Sequence, residues 1–209
     1  MKIALINGSP KGTASASALV LEELKGLLGG IELTELSIRS SRVETLESLG
    51  NHDVIVFSFP TYVDGIPSHL LRALVQLEDH WRERAPRLGL TVYVIANCGF
   101  FEASQNRHSL AMIQSWCART GLAWGQGLGI GGGAMLPAVT QIPAGRGPRK
   151  RLSRALALLG RRILEKTGGT NLFVSPGIPR FLYRFLGEMN WRERIRIHGL
   201  HPRDLALRR

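Results

Sequence analysis

Five apolar runs of strand length alternate along the chain with stretches whose apolar residues recur at helical spacing. The predicted strands are Lys2–Asn7, Ile31–Ser37, Asp53–Phe59, Leu90–Asn97 and Trp124–Ile130, and the predicted helices are Ser15–Leu28, Val43–Leu49, Pro67–Arg84, Ser104–Thr120 and Pro148–Lys166. Strands that alternate with helices are typical of a parallel sheet covered by helices on both faces. We therefore expect a three-layer α/β/α domain.

The chain between the first strand and the first helix is rich in groups that bind anions. The N-terminus of a helix carries free N–H groups and the positive end of the helix dipole, and a glycine-containing turn before it makes an anion site. Here one lysine and four hydroxyl residues occupy alternate positions: Ser9, Lys11, Thr13, Ser15 and Ser17. A helix cap needs only one such residue. The loop therefore predicts a phosphate site.

The loop after the third strand holds an aromatic residue at the edge of the sheet where ligands of open α/β folds bind. Pro60 and Gly65 interrupt the strand, and Pro67 begins the next helix. Tyr62 is then fixed on a rigid turn, either beside a flat ligand ring or packed against the protein.

The loop after the fourth strand reaches the same edge. Asn97 and Gly99 let the backbone approach a ligand closely, and Phe100 adds apolar surface. Cys98 has no histidine placed by sequence to activate it, which favours an unreactive thiol beside the ligand over a nucleophile.

Two nucleotide-binding motifs are excluded. The P-loop pattern is absent because Lys11 follows Gly8 by three residues and no Ser or Thr comes directly after it. Residues 127–132 read GLGIGG and match GxGxxG literally. Pro137 follows before any convincing helix, and no acidic residue lies about 20 positions on, so we do not interpret this match as a dinucleotide site.

Positive charge is concentrated in the last third of the 209-residue chain. Residues 1–145 hold 11 Lys or Arg and 12 Asp or Glu, whereas residues 146–209 hold 16 and 4. Any partner that the excess positive charge attracts would therefore bind that segment and not the rest of the chain. No apolar run is long enough for a membrane span or a signal peptide, so we expect a soluble cytoplasmic protein. Cys98 and Cys117 lack the spacing of a metal site or a disulfide framework.

Residues 178–191 predict a basic amphipathic helix. One face carries Phe181, Leu182, Phe185, Leu186 and Met189, and another carries Arg180, Arg184 and Glu188. Such a helix can pack on the core or on a second subunit, lie on an anionic membrane surface, or meet nucleic acid, for which no motif appears. Packing is the leading interpretation because the aromatic side chains need burial.

Three segments together resemble the flavodoxin-like NAD(P)H-dependent FMN reductase family: NGSPKGTASAS, PTYVDGIPSHLL and NCGFFEAS, at the ends of strands one, three and four. The match covers about residues 1–135. It implies a flavodoxin-like, five-stranded parallel sheet in the order 2-1-3-4-5. The FMN-binding domain would span residues 1–168, with a basic C-terminal extension over 169–209 that the family's minimal fold does not need. The resemblance also implies a homodimer.

The resemblance further implies which residues bind FMN. Its phosphate would be held by Ser9, Lys11, Ser15, Ala16 and Ser17. One side of its ring would be lined by Pro60, Thr61, Tyr62 and Val63, and the other side by Asn97, Cys98, Gly99 and Phe100. Ala14 departs from the family pattern, because related loops often have a polar residue there.

The implied activity is transfer of hydride from NADH or NADPH, through bound FMN, to a small-molecule electron acceptor such as a quinone, a nitro compound or a flavin. A flavin performs this chemistry itself, which agrees with the lack of an acid–base pair or a triad in the sequence. Two alternatives stay open. One is an FMN-binding electron carrier whose cationic tail docks an acidic redox partner, and the other is a non-catalytic nucleotide- or membrane-binding module.

Overall fold

The computed structural model describes residues 1–38, 48–201 and 204, without the side chain of Arg194. Its strands are β1 (Lys2–Asn7), β2 (Glu32–Ser37), β3 (Val54–Pro60), β4 (Thr91–Asn97), β5 (Ala123–Ile130) and β6 (Leu172–Val174). Its α-helices are α1 (Ala16–Leu27), α2 (Ser68–Glu83), α3 (Arg107–Thr120), α4 (Leu136–Val139), α5 (Lys150–Glu165) and α6 (Arg180–Ile197). The helix predicted at Val43–Leu49 lies almost entirely outside the described residues, which resume with the 3-10 turn Ser48–Asn51.

All six strands form one parallel sheet in the order β2-β1-β3-β4-β5-β6. The predicted order of the first five strands is confirmed, and the predicted number is corrected from five to six. The sixth strand pairs Leu172 with Leu128 and Val174 with Ile130 at the edge beside β5. Its three residues are fewer than a strand pattern needs to be recognised in a sequence.

Side chains that alternate along the strands fill two separate cores. In β1, Ile3 and Leu5 belong to the core beneath α1 and α5, whereas Ala4 and Ile6 belong to the core beneath α2 and α3. Alternation of this kind is the geometry of a strand buried on both faces. The expected three-layer arrangement is therefore confirmed. Among the described helices, none combines the length and the apolar composition that crossing a bilayer requires.

The glycine-rich stretch at residues 127–132 is largely the end of β5. A Cβ atom on Gly127 would lie 2.9 Å from Leu110, and one on Gly129 would lie 2.7 Å from Phe173. Neighbouring side chains of α3 and β6 thus occupy the space that side chains of β5 would need. The literal GxGxxG match is explained by packing of the sheet.

Tyr93 joins β4 to the end of α5. Its side chain is fully buried, and its hydroxyl lies 2.8 Å from the carbonyl oxygen of Arg162 and 2.9 Å from that of Thr167. Burial raises the pKa of Tyr93 from 10.0 to about 12, because the phenolate would lose its hydration. The neutral hydroxyl is therefore part of the folded structure.

We expect the stability contribution of Tyr93 to depend on pH in the alkaline range. Its pKa is higher in the folded chain than in the unfolded chain, so its contribution is fully present below pH 10 and is lost as the pH rises towards 12. Urea unfolding across this range measures the effect, and Tyr93→Phe is the reference. The free energy of unfolding should fall more steeply for the wild type than for the variant, and parallel declines would contradict the assignment.

Candidate functional site

The loops after β1, β3 and β4 are joined to one another at the carboxyl edge of the sheet. The Gly8 N–H donates to the carbonyl of Ser58 at 2.8 Å, and the Thr61 N–H donates to the carbonyl of Asn97 at 2.7 Å. The side-chain amide of Asn97 in turn donates to the Ser17 hydroxyl at 2.8 Å. The structure thus brings together the three segments that the sequence singled out.

Three of the hydroxyl residues in the first loop point into the protein. Ser9, Ser15 and Ser17 expose only 2, 5 and 1% of their surface. The Ser9 hydroxyl accepts a bond from the Lys11 N–H at 3.3 Å, and the Ser15 hydroxyl caps α1 by accepting from the Ala18 N–H at 3.1 Å. The Ser17 hydroxyl accepts the hydrogen bond from the side-chain amide of Asn97 at the end of β4. These side chains shape the loop and are used within the protein.

The start of α1 offers a ligand mainly the half-buried Ala16 and the exposed Lys11, because Ser17 is almost fully buried. The backbone bonds of α1 begin at the Leu19 N–H, and in the described chain the N–H groups of Ala16 and Ser17 have no acceptor. Lys11 and Thr13 are exposed beside them. Free N–H groups at a helix start, with a lysine nearby, form an anion site. Thr13 is one of these exposed groups, although the resemblance does not place it at the phosphate.

The loop after β3 ends in a tight, strained turn. Tyr62 and Gly65 exchange two backbone hydrogen bonds of 3.0 Å, and the residues between them, Val63 and Asp64, have φ angles of +48° and +59°. This is the backbone of a type I′ turn, for which Asn and Gly are the favoured residues. Valine is an outlier there because its branched side chain crowds the backbone. Tyr62 is 44% exposed and Val63 is fully exposed.

We expect Val63→Asn to raise the free energy of unfolding by about 1 kcal/mol, because asparagine tolerates the left-handed conformation that valine resists. Urea unfolding measures the change. Val63→Ala is the matched control, since it removes the same exposed methyl groups but keeps a residue that disfavours positive φ. An equal gain from both substitutions would show that the turn is not strained in the way described.

The loop after β4 presents backbone and one aromatic side chain to solvent. Asn97 and Cys98 are buried, whereas Gly99 is exposed and Phe100 is 62% exposed. Burial raises the pKa of the Cys98 thiol, and the amide of Asn106 lies 3.4 Å from its sulfur. The thiol is therefore protonated at neutral pH, which agrees with an unreactive group.

A buried polar pair at the start of α3, with Asn106 just before the helix and Ser109 in its first turn, supports these loops, and the sequence pattern did not reveal it. Asn106 and Ser109 are fully buried. The Thr61 hydroxyl lies 2.7 Å from Oδ1 of Asn106 and 3.0 Å from Oγ of Ser109, and the Asn106 amide also donates to the carbonyl of Ile130 at 3.1 Å. The available signal was a pair of polar residues three positions apart near the start of the predicted helix Ser104–Thr120.

The C-terminal extension also contacts the site. The Tyr183 hydroxyl donates to the carbonyl of Gly99 at 2.5 Å, and the ring of Tyr183 lies 5.5 Å from that of Phe101. Arg180 forms an ion pair with Glu102 at 2.8 Å. Burial raises the pKa of Tyr183, which keeps its hydroxyl a donor. The resemblance did not cover the extension, so these contacts could not be anticipated from it.

The arrangement fits a phosphorylated ligand with a flat ring. The unpaired N–H groups of Ala16 and Ser17 and the exposed Lys11 suit a phosphate. The exposed rings of Tyr62 and Phe100, on the two neighbouring loops, suit the faces of an aromatic ring system. Among the residues expected to bind FMN, the side chains of Lys11, Tyr62, Val63 and Phe100 are exposed, whereas Ser9, Ser15, Ser17 and Asn97 are buried.

Comparison with known proteins rests on structure. No family model and no curated protein matches the sequence. A flavodoxin of Streptococcus pneumoniae TIGR4 superposes with a TM-score of 0.58 at 11% identity, over 80% of this chain and 100% of that one. An azoreductase of Bacillus anthracis str. Sterne gives 0.54 at 12%, over 79 and 99%. The Trp repressor binding protein of Bacillus subtilis gives 0.54 at 15%, over 77 and 98%. Together with the strand order and the three layers, these similarities show that the chain has a flavodoxin-like fold.

Proposed function

We propose that the protein is an FMN-dependent oxidoreductase that takes hydride from NADH or NADPH and passes it to a small-molecule electron acceptor. The observation that carries this proposal is the joined cluster of three loops at the carboxyl edge of the sheet. It combines free N–H groups at the start of α1 with exposed aromatic rings on the loops after β3 and β4. Azoreductases and a flavone reductase among the structural neighbours support the same class of reaction.

The chain's own residues would bind and orient the cofactor. The backbone N–H groups of Ala16 and Ser17, with Lys11, would hold the phosphate, and Tyr62 and Phe100 would flank the ring. Bound FMN supplies the hydride chemistry, so the protein contributes binding, orientation and electrostatics. The protonated Cys98 would serve as apolar wall rather than as a nucleophile.

Two measurements on the purified full-length chain test this proposal. Titration with FMN should give a saturable complex with a bound-flavin absorbance band. Anaerobic mixing of that complex with NADH, and separately with NADPH, should bleach the band within the time of one turnover. A chain that takes up no FMN would refute every flavin-based function, whereas a complex that neither nucleotide reduces would refute the oxidoreductase.

An electron carrier is the second candidate, and a flavodoxin among the structural neighbours favours it. In that case the bound flavin would remain oxidised with both nicotinamide nucleotides. A chemical reductant such as dithionite would still reduce it. The same anaerobic experiment therefore separates the carrier from the enzyme.

We also propose that the protein is a homodimer in solution through the exposed apolar surface between α2 and α3. Leu71, Val75 and Met112 are 45, 50 and 38% exposed there and line a groove of about 430 Å³. Sedimentation velocity of the wild type and of Val75→Glu tests this. A monomeric wild type would refute it, and so would a dimer that persists in the variant.

A further inference from the structure

Helix α6 carries an apolar stripe, which we define as Phe181, Phe185, Leu186 and Met189. Phe181, Phe185 and Met189 recur at every fourth position and therefore lie on one face of the helix. The four side chains expose 75, 58, 43 and 52% of their surface. An exposed, contiguous apolar surface of this kind marks a site of contact with another molecule or with a membrane.

A row of arginines runs directly beside the apolar stripe. It follows the same four-residue spacing one position away and consists of exposed residues, which we call the basic row: Arg180, Arg184, Arg192 and Arg196. Glu188 occupies the remaining position of the row and pairs with Arg192 at 3.8 Å. Over Arg180–Ile197 the helix holds five arginines and two glutamates. The surface beside the stripe is therefore positively charged.

The start of α6 is fastened to the domain. The ion pair of Arg180 with Glu102 and the hydrogen bond of Tyr183 to Gly99 hold its first turn on the loop after β4. The apolar stripe begins in that same turn and is exposed from Phe181 onwards. A surface that bound α6 would consequently bind the whole domain, with the candidate functional site beside it.

We propose that α6 docks the protein on an anionic membrane surface. A helix with an apolar face and arginines beside it lies in the interface of a bilayer, with its apolar side chains at the boundary of headgroups and acyl chains. Apart from Arg180, which is paired with Glu102, the arginines of the basic row meet the anionic headgroups, which attract basic segments. Charge complementarity selects this occupant: residues 146–209 hold 16 Lys or Arg and 4 Asp or Glu, and the rest of the chain is close to neutral.

Two other occupants fit the surface less well. Pairing of two α6 helices through their apolar stripes would bring two basic rows together, and like charges at an interface oppose association. Nucleic acid would satisfy the arginines but not the apolar stripe, because protein contacts to its backbone are polar and charged. A bilayer interface accommodates the apolar stripe and the basic row together.

Vesicle flotation of the full-length protein tests the proposal. We expect binding to vesicles of phosphatidylcholine containing about one third phosphatidylglycerol, and at least about tenfold weaker binding to pure phosphatidylcholine. Raising the ionic strength to about 0.5 M should release the protein, because exposed charges are then screened. Failure to float with the anionic vesicles at low salt would overturn the proposal.

Matched variants locate the binding surface. Phe185→Glu should weaken binding to the anionic vesicles about tenfold, whereas Leu88→Glu should leave it unchanged. Leu88 is 99% exposed in the loop before β4, so both substitutions replace an exposed apolar side chain with the same charge. Arg184→Gln should weaken binding about fivefold, as expected for one arginine at an anionic surface. Equal binding of Phe185→Glu and Leu88→Glu would overturn the assignment to α6.

Sedimentation velocity of the same proteins tests whether the apolar stripe binds a second copy of the chain instead of a membrane. If Phe185→Glu turned a dimer into a monomer while Leu88→Glu did not, the apolar stripe would be a subunit contact and the membrane proposal would be wrong. Unchanged sedimentation of both variants, together with selective loss of vesicle binding, supports it. Flavin content is not needed for either readout, so this test is independent of the proposed reaction.

Discussion

Replacing Gly131 with alanine is expected to lower the free energy of unfolding by about 3 kcal/mol. A Cβ atom at this position would lie 2.3 Å from the carbonyl oxygen of Phe101 and 2.9 Å from the nitrogen of Ala103. Both are backbone atoms, so no rotation of a side chain relieves the overlap. The Gly131 N–H also donates to the carbonyl of Val174 at 3.0 Å, which restricts movement away from it. Chemical unfolding, monitored by circular dichroism, measures the loss.

The same substitution should weaken FMN binding, because Phe101 belongs to the loop after β4 that carries Gly99 and Phe100. Gly26→Ala is the matched control. It makes the same chemical change in the exposed part of α1, where a Cβ atom would meet nothing within 4 Å. Alanine is the better helix former, so this variant should gain about 0.5 kcal/mol. A Gly131→Ala protein as stable as the wild type would show that the end of β5 and the loop after β4 are not in contact.

The elements that the sequence predicted well are those whose hydrophobic pattern depends on burial. The limits of β1 at Lys2 and Asn7 were predicted as observed, and β4 differs from its prediction by one residue. These strands are buried on both faces, so almost every position had to be apolar. The pattern therefore contained the information that defines the element.

The sixth strand and the contacts of α6 depend on residues that lie far away in the sequence. Residues 172–174 form a strand because β5 offers a glycine-lined edge, in which Gly129 leaves room for Phe173. Neither segment shows this by itself. The contact of Tyr183 with Gly99 likewise joins positions 84 residues apart. Contacts of this range follow from the folded topology and leave no local pattern in the sequence.

At the candidate site, the sequence indicated the residue types, whereas the directions of the side chains depend on the folded structure. Residue types in the first loop indicated an anion site, and the loop does begin a helix at the expected edge of the sheet. The directions of its hydroxyl groups could not be predicted, because Ser17 is turned inward by Asn97, a residue 80 positions away. The sequence indicated both the serine hydroxyls and the N–H groups of the helix start, and the structure turns the three hydroxyls inward while the N–H groups of Ala16 and Ser17 have no acceptor among the described residues.

We expect Ala16→Pro to weaken FMN binding by about 10- to 100-fold, because proline lacks the N–H that would donate to the phosphate and a hydrogen bond to a charged group contributes about 1.5–3 kcal/mol. The fold should tolerate the change. Ala16 is the first residue of α1, where proline is favoured, and the preceding Ser15 has the extended angles φ −121° and ψ 153° that a residue before proline adopts.

The free energy of unfolding should therefore stay within about 0.5 kcal/mol of the wild-type value. Ala16→Gly provides the opposite combination: it keeps the N–H and so should keep FMN affinity, but it lowers helix stability because glycine is the poorer helix former. Fluorescence titration with FMN and urea unfolding of the three proteins separate the two effects. Full FMN affinity in Ala16→Pro would show that the start of α1 does not bind the phosphate. Equal losses of affinity in both variants would mean that the helix, and not this one donor, determines binding.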